Sequence, residues 1–141
     1  MALVMFPDGT RVRASPLSER QADDPERAFG LYLDKQWNPT WPACVIDWPD
    51  FGLPEDPEAA AGGIAAAFDR ARNGELVEVG CLGGRGRTGT ALACMAVLAG
   101  VPGDEAVPWI RHAYRPEAVE TPQQEEWVRW FAGWASSRAP G

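Results

Sequence analysis

The sequence predicts an α/β fold, because short apolar strands alternate along the chain with longer segments of helical periodicity. Extended stretches are predicted at residues 3–6, 11–14, 30–33, 43–46 and 76–79. Helices are predicted at residues 57–72, 90–98, 107–114 and 127–134. Strands, one helix, a further strand and then several helices indicate a layered arrangement in which helices cover a sheet.

Each strand is marked by the residues at its ends. The first two flank residues 7–10, Pro-Asp-Gly-Thr, a turn sequence that predicts an N-terminal hairpin. The next two are short apolar runs bounded by Pro, Asn and Trp residues. The last follows the Asn-Gly pair at 73–74, which is typical of a turn.

The helices are recognised by their apolar faces and by their ends. The segment 57–72 has an apolar stripe, with Asp56 placed to cap its start and Gly74 placed to end it. The segment 90–98 is apolar or small on every side, which predicts a helix buried at the centre of the domain. The last helix has the spacing i, i+3, i+4, i+7 at Trp127, Trp130, Phe131 and Trp134.

The composition predicts one soluble globular domain over residues 1–141. Of the 141 residues, 45% are hydrophobic and 23% are charged, and these are ordinary proportions for a chain with a buried core. The formal net charge is −7. Duplex nucleic acid and anionic membranes both attract clustered Lys and Arg, so this charge argues against either as the main partner.

The cysteine and histidine content argues against a metal site and against a disulfide framework. Cys44, Cys81 and Cys94 are widely spaced, and His112 is the one histidine. The N-terminus lacks a basic start followed by a long apolar core, and the apolar run 91–101 is too short to span a bilayer. We therefore expect a cytoplasmic protein that needs no cofactor and no metal.

A glycine-rich loop between a strand and a helix is the most informative feature of the sequence. Cys81 follows a predicted strand, and an apolar helix is predicted directly after Arg87, Thr88 and Gly89. Glycines let backbone N–H groups converge on an anion, and a helix N-terminus adds partial positive charge. Arg87 can hold two phosphate oxygens with its planar guanidinium, and the same field favours a nucleophilic thiolate at Cys81. The predicted phosphate-binding residues are Leu82, Gly83, Gly84, Arg85, Gly86 and Arg87.

Three motifs together resemble the protein tyrosine phosphatase superfamily. The segment from Cys81 to Gly89, with five residues between Cys81 and Arg87, is similar to the phosphate-binding loop of that family. Residues 48–54, Trp-Pro-Asp-Phe-Gly-Leu-Pro, resemble the mobile WPD loop that carries the general acid. Residues 120–124, Glu-Thr-Pro-Gln-Gln, resemble the loop whose glutamines position the hydrolytic water. The motifs follow the family's order over roughly the last two thirds of the chain.

The resemblance implies a central mixed sheet flanked by helices, and a protein tyrosine or dual-specificity phosphatase that forms a phosphocysteine intermediate. In such an enzyme Cys81 attacks phosphorus, Arg87 stabilises charge on the phosphoryl oxygens, and Asp50 donates a proton to the leaving oxygen. Thr88 donates a hydrogen bond to the sulfur, and Gln124 positions the water. The implied substrates are phosphorylated proteins, with phosphotyrosine first, or other phosphomonoesters.

Several site residues have a second interpretation. Gln124 belongs to the sequence Thr-Pro-Gln-Gln, which is also a helix-capping box with proline at the first helical position. Glu120 stands where the family has its first glutamine. Arg85 is either a solvated surface charge or a cation at the rim of the pocket, where the resemblance would favour highly anionic substrates. Asp47 competes with Asp50 as the acid, but it precedes the Trp-Pro pair and matches nothing in the family.

One position departs from the family. Gly80 precedes the predicted nucleophile, where most members have a histidine that orders the loop. This departure keeps open a second hypothesis, a phosphate-reading binding module that has lost efficient catalysis, and a phosphoinositide phosphatase is a further alternative. Rhodanese or arsenate reductase chemistry has little support, because Cys44 and Cys94 lack the close spacing of a resolving pair.

Overall fold

The strands and helices lie in the order that the sequence predicts. The computed structural model describes residues 2–16, 27–35, 39–81 and 86–138. Within these ranges the strands are β1 (Ala2–Met5), β2 (Arg11–Ala14), β3 (Phe29–Tyr32), β4 (Ala43–Val45) and β5 (Val77–Gly80). The helices are α1 (Pro57–Arg72), α2 (Gly86–Leu98), α3 (Ala106–Ala113) and α4 (Pro122–Arg138). In the same ranges, no helix has both the length and the apolar character needed to cross a membrane.

The strands form one mixed sheet in the order β1-β2-β5-β3-β4. β1 and β2 pair antiparallel as the predicted hairpin, whereas β2, β5, β3 and β4 pair parallel to one another. The predicted α/β class and the central mixed sheet are therefore confirmed. Because the parallel strands share a direction, their carboxyl ends meet at one edge of the sheet, the edge where open α/β sheets bind ligands.

Turn and capping residues next to the hairpin and to α1 explain the hairpin turn and both ends of the helix. In the hairpin turn, the N–H of Thr10 donates to Asp8 Oδ1 at 2.9 Å. At the start of α1, Asp56 Oδ1 accepts the N–H of Ala59 at 3.1 Å, which satisfies one of the free donors of the first turn. Just after α1, Gly74 takes a positive φ of 94°, and the chain turns there toward β5.

α2 is the central helix of the fold, as its small and apolar sequence predicts. Residues 91–96 are all fully buried, and α2 contacts the other three described helices as well as β5. α1 packs across β2, β5 and β3 through a buried face that includes Ile64 and Phe68. Burial of each of these two apolar side chains stabilises the fold by about 1.5–3 kcal/mol.

The buried face of α4 is rotated from the predicted one. Trp127 and Phe131 are buried as expected, but Trp130 is 39% exposed. The reason is that Gln124 and Val128 share the buried face, which still follows the spacing i, i+3, i+4, i+7. The rotation brings one polar side chain, that of Gln124, into the interior.

A buried polar cluster lies on the sheet face away from the valines of β5. Glu78 accepts hydrogen bonds from Arg13 Nη2 at 3.1 Å and from the Tyr32 hydroxyl at 2.6 Å, and Arg27 Nη1 lies 3.6 Å from its carboxylate. Trp41 Nε1 donates to the Tyr32 hydroxyl at 2.8 Å. Burial, and then the neighbouring Glu78 carboxylate, raise the pKa of Tyr32 well above its ordinary value. The cluster ties β2, β3 and β5 together through side chains.

Candidate active site

The predicted site residues collect at the edge where the parallel strands end. Cys81 directly follows β5, Asp34 lies just after β3, and Asp50 lies beyond the end of β4. Arg87 reaches this edge from the first turn of α2, where it contacts both carboxylates. One end of the sheet therefore brings together a thiol, a guanidinium and two carboxylates.

Cys81 is buried, and a fixed hydroxyl lies beside its sulfur. Thr88 Oγ1 donates a hydrogen bond to Cys81 Sγ at 3.0 Å. Thr88 is itself fully buried, so its hydroxyl is shielded from solvent. The contact puts a donor where a thiolate would carry its negative charge, and hydrogen bonds to ionised groups are the stronger ones.

α2 begins at Gly86, earlier than the sequence predicts. The expectation that the helix starts directly after Gly89 is wrong, and Arg87 and Thr88 lie in its first turn. The glycines suggested a loop because glycine disfavours helix, but here they allow a close approach of another segment. A Cβ on Gly86 would collide with the carboxylate of Glu120, and a Cβ on Gly89 would collide with residue 118. Tertiary packing therefore overrides the local preference.

Arg87 is held by one edge of its guanidinium. Nη1 donates to the carbonyl oxygen of Leu33 at 3.2 Å, to Asp34 Oδ2 at 3.1 Å and to the carbonyl oxygen of Trp48 at 2.8 Å. Arg87 and Asp34 are both buried, so their ion pair is little screened by water. These acceptors fix the plane of the guanidinium.

The other edge of the Arg87 guanidinium is less constrained. Nη2 lies 3.5 Å from Asp50 Oδ1, and the Asp50 side chain is 54% exposed. Nε is buried and has no hydrogen-bond partner among the residues that the structure describes. An N–H buried in this way costs about 1–3 kcal/mol. Because Nε and Nη2 form a planar fork, this edge can bind two oxygens of one oxyanion.

Residues 48–54, which resemble the WPD loop and which we call the acid loop after the role that the resemblance implies, are held by a buried tryptophan. Trp48 Nε1 donates to the carbonyl oxygen of Gly52 at 2.8 Å. The Trp48 ring packs edge-on against Trp127 of α4, with ring centroids 5.2 Å apart. Phe51 takes a positive φ of 59°, a conformation that residues other than glycine seldom adopt. The resulting tight turn leaves Asp50 exposed at the edge of the site.

The predicted capping box at the start of α4 forms in part: Thr121 caps the N–H of Gln124, but the Gln124 side chain bonds to Glu120 and to the acid loop and not to the N–H of Thr121. Thr121 Oγ1 accepts the N–H of Gln124 at 3.1 Å, as the capping interpretation predicts. Gln124 Oε1 accepts the N–H of Glu120 at 2.8 Å, and Nε2 donates to the carbonyl oxygen of Gly52 at 3.1 Å. Both ends of this fully buried amide are therefore bonded to backbone groups.

A strained turn presents Glu120 to the start of α2. Val119 takes a positive φ of 63°, which is rare for a β-branched residue. Arg111 of α3 donates from Nε to the carbonyl oxygen of Ala118 at 2.9 Å and from Nη2 to that of Val119 at 2.7 Å. These two hydrogen bonds hold the turn in place, and the Glu120 carboxylate lies directly against Gly86.

The structure brings some sequence-predicted residues together and adds one that the sequence interpretation missed. Of the two acid candidates, Asp50 rather than Asp47 pairs with Arg87. Asp34 was missed, although a carboxylate immediately after a buried strand was an available signal. Four predicted phosphate-binding residues lie outside the described ranges, namely Leu82, Gly83, Gly84 and Arg85.

The other two cysteines are packing residues. Cys94 is fully buried in α2, and Cys44 is half-buried on β4. Burial raises the pKa of both thiols, which disfavours the reactive thiolate. In the part of the chain that the structure describes, no group of three or more His, Cys, Asp or Glu side chains could hold a metal ion.

Comparisons with known proteins find two curated relatives, both from Methanocaldococcus jannaschii, and many solved structures, although no family model matches the chain. The uncharacterized protein MJECL20 of Methanocaldococcus jannaschii is 36% identical over 110 residues, 70% of this chain and 71% of that protein. The active form of Tk-PTP is 26% identical, with a TM-score of 0.73 over 92% of this chain and 96% of its own. Human DUSP28 is 14% identical, with a TM-score of 0.73 over 98% and 100% of the two chains. PTPMT1 in complex with PI(5)P is 16% identical, with a TM-score of 0.66 over 92% and 94%.

The solved structures share one fold over nearly the whole chain. DUSP28 and PTPMT1 show the fold alone at their low sequence identity, and Tk-PTP adds a higher identity on the same fold. The resemblance that the motifs predict is therefore confirmed at the level of the family. The chain belongs to the protein tyrosine phosphatase superfamily, which includes the dual-specificity phosphatases.

Proposed function

We propose that the chain is a single-domain, cysteine-dependent phosphomonoester hydrolase that acts through a phosphocysteine intermediate. The observation that carries the proposal is the hydrogen bonding of the Arg87 guanidinium. Protein acceptors hold one edge of its guanidinium, while Nε is buried without an acceptor among the described residues. A phosphoryl group on Nε and Nη2 would supply the missing acceptors. Thr88, the next residue, already contacts the sulfur of Cys81.

In the first half-reaction, the thiolate of Cys81 attacks phosphorus. The S–P bond forms as the P–O bond to the alcohol or phenol breaks, and protonated Asp50 gives its proton to the departing oxygen. Arg87 stabilises the equatorial oxygens, and the family resemblance assigns the same role to the backbone amides of residues 82–86. The phosphoryl group competes with Asp50 for Nη2 of Arg87, so its binding releases the exposed Asp50 side chain from this contact.

In the second half-reaction, water attacks the phosphorus of the phosphocysteine. Asp50, now a carboxylate, takes a proton from the water as the S–P bond breaks and inorganic phosphate forms. Thr88 donates its hydrogen bond to the thiolate that leaves. Gln124 is the residue predicted to position this water. Its bonds to Glu120 and to Gly52 use one lone pair and one N–H of its amide, so the amide retains a second lone pair and a second N–H.

We propose phosphorylated protein side chains, with phosphotyrosine first, as the substrate class. Phe51 and Leu53 follow Asp50 on the acid loop and are 61% and 39% exposed. Such apolar surface suits an aromatic ring. The net charge of −7 disfavours a strongly anionic phosphoinositide headgroup, although the structural neighbour PTPMT1 is seen with PI(5)P. Parallel assays of phosphotyrosine, phosphoserine and phosphoinositide substrates test this ranking.

Hydrolysis of p-nitrophenyl phosphate tests the catalytic proposal. We expect a bell-shaped pH profile, no turnover in Cys81→Ser, and a loss of about a hundredfold in kcat in Asp50→Ala. Cys44→Ser is the matched control. Cys44 is a half-buried free thiol on β4, and its sulfur lies beside Gly63 of α1. This variant should turn over at the wild-type rate.

Wild-type turnover no faster than that of Cys81→Ser would contradict this proposal. Gly80, which lacks the family's histidine, favours the binding-module alternative in that case. That alternative predicts affinity for a phosphotyrosine peptide without formation of a phosphocysteine. Rapid acid quenching followed by mass spectrometry of the Cys81 peptide tests whether the phosphocysteine forms.

A further inference from the structure

We propose that Gln124 is a positioning residue that holds the acid loop against the phosphate-binding edge during the reaction. This proposal rests on the proposed function, because it assigns a further role within the same site. The contact that carries it is the hydrogen bond from Gln124 Nε2 to the carbonyl oxygen of Gly52 at 3.1 Å. We call this contact the Gln124 latch.

The acid loop needs an attachment that does not depend on Asp50. In the structure Asp50 Oδ1 lies 3.5 Å from Arg87 Nη2. That contact weakens when Asp50 becomes protonated to act as an acid, and again when a phosphoryl group occupies Nη2. The bond from Arg87 to the carbonyl oxygen of Trp48 remains, but it holds only the start of the loop.

Gln124 attaches the far side of the loop through groups that take no part in the chemistry. Its buried amide accepts from the N–H of Glu120 at 2.8 Å and donates to the carbonyl oxygen of Gly52. Trp48 Nε1 donates to the same oxygen at 2.8 Å. A buried amide that is bonded at both ends loses a hydrogen bond if it rotates, so its orientation is well defined.

The latch is anchored in rigid parts of the fold. Arg111 donates to the carbonyl oxygen of Val119 at 2.7 Å and thereby fixes the turn that precedes α4. Trp127, on the same face of α4 as Gln124, packs against the Trp48 ring. Movement of the acid loop away from the site therefore breaks contacts with α4 at two points, the latch and this ring pair.

The latch and a water-positioning role predict different defects. A loosened acid loop impairs proton donation, so the loss of turnover grows as the leaving group becomes more basic. A residue that only positions water acts on the phosphocysteine, after the leaving group has gone. Its loss therefore slows all substrates alike and lets the phosphocysteine accumulate.

Amide hydrogen exchange on Gln124→Glu tests the latch without any need for turnover. Glutamate keeps an oxygen for the N–H of Glu120 but lacks the donor to Gly52. The exposed neighbour provides the matched control, Gln123→Glu, with the same change of charge. We expect residues 48–54 to exchange about three- to tenfold faster in Gln124→Glu and at the wild-type rate in the control. Unchanged exchange in the acid loop would overturn the proposal.

Exchange in α2 is the internal reference for global destabilisation. If α2 accelerates as much as the acid loop in Gln124→Glu, Gln124→Met becomes the deciding variant. Methionine removes both side-chain hydrogen bonds while keeping an uncharged side chain of similar size. Acceleration confined to residues 48–54 in Gln124→Met supports the latch, and uniform acceleration there contradicts it.

Turnover of aryl phosphates gives a second readout. We expect Gln124→Glu to lose about threefold in kcat with p-nitrophenyl phosphate and about tenfold with phenyl phosphate, whose leaving group is more basic. Combined with Asp50→Asn, it should cause little further loss, because both changes act on the same proton transfer. Equal losses on both substrates with accumulated phosphocysteine would refute the latch. An inactive wild type with the exchange effect intact would contradict the proposed function and still support the latch.

Discussion

Two buried clusters of arginine and carboxylate lie on the same sheet, and they differ in whether one carboxylate can move away from its arginine. Around Glu78, two arginines pair with one carboxylate, and all three side chains are at most 9% exposed. Around Arg87, the partner Asp34 is similarly buried, but Asp50 is 54% exposed and belongs to a loop. One cluster is closed, and the other has an exposed member.

This difference separates two uses of buried charge. When every member is buried, removing one leaves the others uncompensated, so the cluster acts on stability. When one member is exposed and lies on a loop, a ligand of the same charge can replace it at little cost. We therefore expect substitutions around Glu78 to change folding and substitutions at Arg87 to change turnover.

The largest effect on turnover is expected for Arg87→Lys. Lysine keeps the charge but lacks the planar fork, so kcat/KM with p-nitrophenyl phosphate should fall by about 10²–10³-fold. Thermal unfolding measured alongside should show a folded protein. Activity within a few-fold of wild type would mean that the open edge of Arg87 does not bind the phosphoryl group.

Glu78→Gln should act on stability instead. Two buried guanidinium groups would lose their counter-charge, so we expect the free energy of unfolding in urea to fall by about 3–5 kcal/mol. Glu75→Gln is the matched control, because Glu75 pairs with Arg70 at the surface and should cost less than about 1 kcal/mol. Unchanged stability of Glu78→Gln, or a loss of kcat in its folded fraction, would remove the distinction between the clusters.

A smaller effect on stability is expected for Tyr32→Phe, which removes the hydrogen bond to the Glu78 carboxylate and the acceptor of Trp41 Nε1 and should cost about 1.5–3 kcal/mol. Burial and the Glu78 carboxylate raise the pKa of Tyr32, so the folded state favours the protonated phenol. Its contribution is complete below the ordinary pKa of tyrosine and is lost as pH rises above that value, because the unfolded chain ionises first. From about pH 9 to about pH 11, the melting temperature of the wild type should fall more steeply than that of Tyr32→Phe. Parallel slopes would contradict this assignment.

Local signals in the sequence predict most of the fold. The N-terminal hairpin and α1 follow from turn and capping residues that lie next to the elements they bound. The start of α2 was predicted too late, because Gly86 and Gly89 weaken a helix locally while the close approach of residues 118 and 119 requires glycine at position 89. That requirement comes from a segment distant in sequence, and no local pattern contains it.

The candidate site, like the fold, was predictable only where the signal lies in the local sequence. Motif spacing predicts Cys81, Arg87 and Asp50 as members of one site, and their catalytic roles remain predictions. The partners of Gln124 could not be predicted, because its bond to Gly52 joins residues 72 positions apart. Such a contact depends on how α4 is rotated against the acid loop, which is settled only by the packing of the whole core.

The anchored edge of Arg87 bears on how this site discriminates among anions. An unrestrained arginine would lose about 1.5–2 kcal/mol of rotamer freedom on binding, but here that freedom is already lost when the chain folds. Any tetrahedral oxyanion that fits the open fork meets a guanidinium that needs no further ordering. Inorganic phosphate, the reaction product, is one of these anions, so the rigidity that favours substrate capture also makes the proposed enzyme prone to inhibition by its own product.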